Sequence, residues 1–280
     1  MTEVAFRELE ALWFQVTGTL CNLACRHCFN ASGPRNPWLG CLGASVVRRY
    51  VAEAETLGVK EFYFTGGEPL LHPEIEALLE HALGAAPTTL LTNGTLVDEA
   101  RADRLAAIAS RSPYSLEVRV SLDAPTAHEN DAVRGRGTFA KALAAIRRLA
   151  ARGLLPIVTA TEILPATGGE SLYERMRAVL LEAGVARPRV KILPVLPLGR
   201  CSGPERYVGP DEAERLDPTR LQCTETRVIA DGGIYACPIL AGLPGARLGA
   251  RRLAEALGPV SLFHHACYTC YETGIACQNF

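Results

Sequence analysis

Residues 12–30 read LWFQVTGTLCNLACRHCFN. The run 12–17 is apolar, aromatic and β-branched, which predicts a strand. Directly after it come three cysteines, Cys21, Cys25 and Cys28, on a Gly-containing loop. Three thiols this close together can wrap one metal centre. They fall one short of the four protein ligands of a closed zinc site and of the four cysteines usual at a four-iron cluster. One coordination position is thereby left for a ligand that is not protein. Zinc completed by His27 or Cys41 is the other reading of the spacing. The adjacency of His27 to Cys28 is expected to turn its ring away from the site.

Outward from this loop the chain alternates between short β-type runs and amphipathic helices. Strands are expected at 12–17, 59–64, 88–92, 116–122, 155–163 and 189–196. Between them Ser45 can cap a helix with the stripe Val47, Tyr50, Val51, Ala54 and Leu57. Pro73 can open the next, Asp98 caps a third, and Thr138 starts a fourth that runs to Gly153; a further helix is expected around 170–183. Six β/α units in a row imply a parallel sheet with right-handed crossovers. They are too few for a closed eight-fold barrel. The expected fold is α/β, a partial six-stranded (β/α)6 TIM-type barrel with ligands at the C-terminal strand ends.

After residue 196 the pattern changes, which divides the chain into 1–196 and 197–280. PLGRCSGPERYVGP (197–210) reads as a linker and TRVIADGGIYAC (226–237) as a hairpin turning at Asp231-Gly232-Gly233. A short helix can form over 250–257, and HACYTCYETGIACQNF (265–280) reads as a closing Cys-rich loop. This tail is too small to build much core alone, and a bound metal cluster would cross-link it.

Hydrophobic residues make up 48% and charged residues 21% of the 280, which excludes a disordered chain. No run approaches the roughly 18 apolar residues of a membrane span, and the acidic N-terminus lacks signal-peptide character, so a cytoplasmic protein is expected. The balance of 29 basic and 30 acidic residues argues against a nucleic-acid binder. Ten cysteines in a reducing compartment point to metal ligands or reactive thiols.

The motif C-x3-C-x2-C followed by Phe29, after the first strand, resembles the signature of radical S-adenosylmethionine (radical SAM) enzymes. Thr65-Gly66-Gly67-Glu68-Pro69 is similar to the family's GGEP motif, Thr92-Asn93-Gly94-Thr95 to its TNG turn, and Ser121-Leu122-Asp123 to its S-x-D element. HENDAVRGRGTF (128–139) resembles a further segment of one branch of the family and contains Arg134. The resemblance implies a 4Fe-4S cluster on Cys21, Cys25 and Cys28 whose open iron binds the amino and carboxylate groups of S-adenosylmethionine. It implies cofactor contacts from Phe29, Gly66, Gly67, Glu68, Pro69, Asn93, Ser121, Asp123 and Arg134. Among these, Glu68 would face the methionine amino group, Ser121 and Asp123 the ribose or carboxylate, and Arg134 the carboxylate. The implied chemistry is reductive cleavage to a 5′-deoxyadenosyl radical that abstracts hydrogen from a substrate, with the electron supplied by a flavodoxin- or ferredoxin-type donor.

Cys223-x8-Gly232-x4-Cys237 and Cys267-x2-Cys270-x6-Cys277 are similar to the C-terminal SPASM extension or its shortened form, twitch. The full form has seven cysteines, and this run is incomplete. The short form implies one auxiliary 4Fe-4S cluster on Cys223, Cys237, Cys267 and Cys270, with Cys277 spare or replacing one of them. Zinc on the same residues is the alternative. Cys201, near the expected barrel mouth, is a candidate hydrogen donor as in radical epimerases, a further cluster ligand, or a plain thiol. Relatives with this extension act on peptides or small natural products, and an auxiliary cluster suits oxidation, by dehydrogenation or cross-linking. A first barrel strand near residue 12 is expected to leave no room ahead of it for a leader-recognition domain, which counts against leader-dependent peptide modification unless a separate partner protein supplies recognition. The rival reading is a non-catalytic iron–sulfur or zinc protein on the same scaffold.

Overall fold

The computed structural model describes residues 2–163, 170–201 and 205–274. After a short strand β1 (Thr2–Val4), six strands alternate with helices: β2 (Ala11–Gln15), α1 (Ala44–Thr56), β3 (Glu61–Thr65), α2 (Ile75–Ala82), β4 (Thr88–Thr92), α3 (Glu99–Arg111), β5 (Leu116–Ser121), α4 (Ala127–Arg134), α5 (Thr138–Ala151), β6 (Ile157–Thr161), α6 (Leu172–Glu182) and β7 (Arg189–Leu193). β2 to β7 are hydrogen-bonded in that order, every pair parallel. The outermost strands of the sheet do not pair with each other, so the barrel is partial.

The helices form where the apolar period places them. α1 buries Val47, Tyr50, Val51 and Ala54, and α5 buries Ala142, Ala145, Ile146 and Leu149. Asp98 caps α3, its side chain accepting from the Arg101 N–H at 2.8 Å. For α1 the capping position is Gly43 instead of Ser45, because the helix begins at Ala44 and Ser45 already lies inside its first turn. These faces pack on Phe14, Phe62, Phe64 and Leu90 of the sheet in one core. A second core contains Trp13 and Tyr63, paired across β2 and β3. Their rings stack with centroids 4.2 Å apart and planes 6° from parallel.

The C-terminal part continues the same sheet. β8 (Thr226–Ala230) lies parallel to β2 on the side away from β3, with Ala11 opposite Thr226 and Phe14 opposite Ile229. β9 (Gly233–Tyr235) returns antiparallel as the hairpin read from the sequence, and Gly232 takes φ +86° in its turn. β10 (Arg247–Leu248) adds to β9, and β11 (Val260–Leu262) pairs antiparallel with β1. Ahead of β8 stands a short helix, α7 (Pro210–Ala213). The expected closing loop is in part a helix, α8 (His265–Thr273), whose cap His264 accepts from the Ala266 N–H at 3.1 Å. The cysteines at i and i+3 that read as a loop motif stand on one helix face. The 250–257 helix is one short turn, Leu253–Ala256. Cys277 lies outside the described residues.

Ile229 is 1% exposed in a strand that belongs to the barrel sheet. Ile229→Ala is expected to destabilise the fold by about 2–5 kcal/mol. Hydrogen exchange is expected to report the loss in β2 as well as in β8. Exchange confined to β8 would separate the C-terminal part from the barrel.

Candidate active site at the strand ends

The loop after β2 carries Cys21, Cys25 and Cys28, and its base is seated on the end of β3. Val16 N–H donates to Thr65 O and Glu68 N–H to Leu20 O, each at 2.9 Å. A Cβ on Gly66 would stand 2.1 Å from Thr17 Oγ1, and one on Gly67 2.2 Å from Leu20 O. The two glycines, read from the sequence as space for a ligand, are first of all the space through which the cysteine loop passes. They also border the cavity at the strand ends.

That cavity is walled by all three thiols of the loop together with Phe29, Asn93, Ser121 and Arg134. Cys21 and Cys25 are buried, and burial pushes the Cys21 thiol up to about 12. Asn93 donates from Nδ2 to Asn22 Oδ1 at 2.8 Å and lies 3.8 Å from Cys21 Sγ. Ser32 N–H donates to Cys28 Sγ at 3.3 Å. Trp13 and Arg119 also border the cavity; Arg119 is buried, with Nε 3.3 Å from Glu117.

Three predicted residues, Glu68, Pro69 and Asp123, stand behind the wall. Glu68 is fully buried. It accepts from Leu70 N–H at 3.1 Å, Thr92 Oγ1 at 2.7 Å and Asn93 N–H at 2.8 Å. Burial raises its pKa against those bonds. Its carboxylate therefore holds the β4 turn, where the sequence reading aimed it at a methionine amino group. Pro69, buried beside it, opens a single helical turn.

Asp123 forms an ion pair with Arg134, Nε to Oδ2 2.6 Å, and the same Oδ2 lies 3.0 Å from His27 Nε2. Asp123 also accepts from Arg134 Nη2 at 3.0 Å and Thr161 N–H at 2.9 Å. Burial raises the Asp123 pKa, but the Arg134 guanidinium and the His27 ring outweigh it and hold the carboxyl well below the usual carboxylate range. Ser121 faces the cavity while Asp123 does not border it. His27, expected to turn away, borders the cavity and joins this network.

The predicted linker also contributes. Gly199 takes φ +65°, and a Cβ there would stand 2.2 Å from Phe29 O. Arg200 donates its backbone N–H to Cys28 O at 3.0 Å and its Nε to Cys25 O at 2.7 Å. The strap therefore clasps the cysteine loop, a role no spacing signal in PLGR announced. Cys201, next in sequence, is half-buried and does not border the cavity.

A second, smaller cavity is walled by Cys223, Cys237, Cys267 and Cys270 with Leu221, Leu240 and Leu262. Burial pushes the Cys223 thiol up to about 12 and raises Cys237 and Cys267 as well. Ile239 borders both cavities. No disulfide is formed among the described cysteines. No three His, Cys, Asp or Glu side chains among the described residues gather as a single metal ion requires; the thiols surround the two cavities instead. In donor chemistry both sets fit a thiolate-held cluster, three thiols in the first and four in the second.

A parallel partial barrel with a three-cysteine loop over a largely apolar strand-end cavity has the donor set of a cluster-binding protein. The sequence profile of the radical SAM superfamily matches residues 16–191, and the chain belongs to that family. Membership implies a 4Fe-4S cluster and S-adenosylmethionine. The mycofactocin maturase MftC of Mycobacterium ulcerans (strain Agy99) is 33% identical over 208 residues, 72% of this chain and 50% of that protein. The chain thus spans about half the length of that curated relative. Streptococcus suis SuiB bound to its precursor peptide SuiA superposes with a TM-score of 0.67 at 16% identity, over 91% of this chain and 65% of SuiB. anSMEcpe with bound AdoMet does so with 0.66 at 17% identity, over 96% and 84%. At these identities the likeness is one of fold. No described helix is long and apolar enough to cross a membrane.

Gly67→Ala is expected to unseat the cysteine loop and lower the iron bound after anaerobic reconstitution relative to wild type; undiminished iron would contradict this. Arg134→Met strands a buried carboxylate and is expected to cost about 3–5 kcal/mol in denaturant unfolding. Because the Asp123 pKa is depressed below 3.8, the stability it contributes is fully present above that value and drains as pH falls below it. The gap between wild type and Asp123→Asn is therefore expected to narrow on acidification below pH ~4.

Proposed function

We propose that this chain is a radical SAM enzyme that oxidatively modifies a peptide. In this reading residues 1–196 hold the catalytic cofactor and 197–280 an auxiliary 4Fe-4S cluster. The observation that carries it is the strand-end cavity, where Cys21, Cys25 and Cys28 share one wall with Asn93, Ser121 and Arg134. The maturase name of a 33%-identical relative and the precursor peptide bound to SuiB support a peptide substrate.

The group held there would supply reductive cleavage: one electron from a flavodoxin- or ferredoxin-type donor, passed through the cluster, would split S-adenosylmethionine into methionine and a 5′-deoxyadenosyl radical, which would take a hydrogen atom from a substrate C–H bond. The chain's own residues bind and orient. Cys21, Cys25 and Cys28 hold the cluster. Gly66 and Gly67 let the loop and cofactor lie against β3, and Phe29, Asn93 and Ser121 line the cofactor's space. Arg134 is held by Asp123 at Nε and Nη2, and its remaining Nη1 would meet the cofactor's carboxylate. Glu68 and Pro69 act by positioning the Asn93 turn. Trp13 and the apolar wall exclude water.

Cys223, Cys237, Cys267 and Cys270 hold the auxiliary cluster, separated from the first cavity by Ile239, a short path for an electron leaving an oxidised substrate. That proximity favours dehydrogenation or cross-linking over epimerisation, for which Cys201 does not border the substrate space. Cluster chemistry of this kind belongs in a reducing compartment such as the cytoplasm. A separate recognition partner for the peptide completes the proposal.

The test is iron and sulfide content after anaerobic reconstitution, with 5′-deoxyadenosine measured under dithionite. About eight irons per chain are expected, falling to about four in C21A/C25A/C28A with 5′-deoxyadenosine abolished. Zinc with little iron, or no 5′-deoxyadenosine from the iron-loaded wild type, would overturn the reading.

A further inference from the structure

Arg227, on β8, is one of the largest side chains with no exposure at all. Its guanidinium has no carboxylate partner among the described residues. Nε donates to Ala256 O, Nη1 to Cys223 O and Thr226 O, and Nη2 to Gly258 O, all at 2.7–2.8 Å. The guanidinium carbon lies 4.1 Å over the Phe6 ring. Every hydrogen-bond acceptor is therefore neutral. Other buried cations of the molecule are matched: Arg134 by Asp123 and Arg119 by Glu117.

A buried charge without a counter-charge is strongly disfavoured. The guanidinium binds the Cys223 carbonyl directly, so it stands against the backbone of one of the four cysteines around the second cavity. Four thiolates around a four-iron cluster carry net negative charge, which neutral thiols do not. The counter-charge that Arg227 lacks is what the second cavity would supply when filled.

We propose that Arg227 is a positioning and charge-compensating residue for the auxiliary cluster, anchoring the Cys223 backbone and stabilising the cluster's more negative, reduced state. This rests on the auxiliary-cluster reading above. It assigns to a strand residue outside both cavity walls a control over the cluster's potential, and it explains why an arginine is tolerated in a fully buried strand.

The full-length C21A/C25A/C28A variant isolates the second site. In that background, a potentiometric titration followed by electron paramagnetic resonance compares Arg227, Arg227→Lys, Arg227→Met and Arg227→Gln. The neutral variants are expected to shift the midpoint potential negative by at least the roughly 59 mV of a tenfold change in a one-electron equilibrium. Arg227→Lys is expected to stay near the unsubstituted value. Where Arg227→Met does not fold, Arg227→Gln, which keeps donors toward the carbonyls, carries the same expectation. Four irons retained with an unchanged potential in the neutral variants would overturn the role of Arg227 and leave the cluster standing. No iron in the C21A/C25A/C28A background would overturn the auxiliary cluster itself.

Discussion

The site depends on one close approach, between the backbone of the cysteine loop and the end of β3. Glu68 N–H holds Leu20 O, and Gly67 leaves no Cβ to push that carbonyl away. Because Leu20 immediately precedes Cys21, the seat of the loop sets where the first thiol stands. The same short segment fixes the next strand end, since the buried Glu68 carboxylate collects the Thr92 hydroxyl and the Asn93 N–H. Three strand ends are thereby tied through a handful of residues, with Gly199 and Arg200 closing on the loop from the other side.

Burying charge is the cost of building such a cavity, and the molecule settles it in three ways. Glu68 is met by neutral donors alone. Asp123 is met by a guanidinium and an imidazole, strongly enough that its pKa falls despite burial. Arg227 is met by backbone carbonyls and the face of the Phe6 ring, whose geometry is good while their net charge is zero. The first two solutions are complete within the chain. The third is complete only in hydrogen bonds, and it occurs beside four thiols.

Much of the framework was legible in the sequence, for physical reasons that differ by element. Parallel strands with little exposure read as short apolar runs, so β2 to β6 stood close to where the sequence put them; β7, an edge strand without a buried residue, was legible from its apolar residue types alone. Asp98 and the Asp231-Gly232-Gly233 turn are local devices and were equally readable. The parallel pairing of β8 with β2 was not, because their register joins residues more than two hundred apart and nothing local to TRVIA specifies a partner. The cysteine pair of α8 was mistaken for loop because its apolar stripe is too narrow to signal a helix. At the site, the residue types were legible and their directions were not. Glu68, Asp123 and His27 each turned toward a partner that only the fold brings near, and Arg200 carried no motif at all.

The placement of β8 changes how the two halves of the chain are to be understood. A tail too small to fold alone need not be held by metal alone if it extends a sheet that already exists. β8 gains its core through Val228 and Ile229 against the barrel, and β11 gains β1 from the other end of the chain. The second set of thiols is thereby delivered to a rigid position, with Cys223 just before β8 and Cys237 just after β9. Ile239, two residues beyond Cys237, then falls between the two cavities as a consequence of sheet geometry. Adjacency of the two cavities is thus a property of strand pairing.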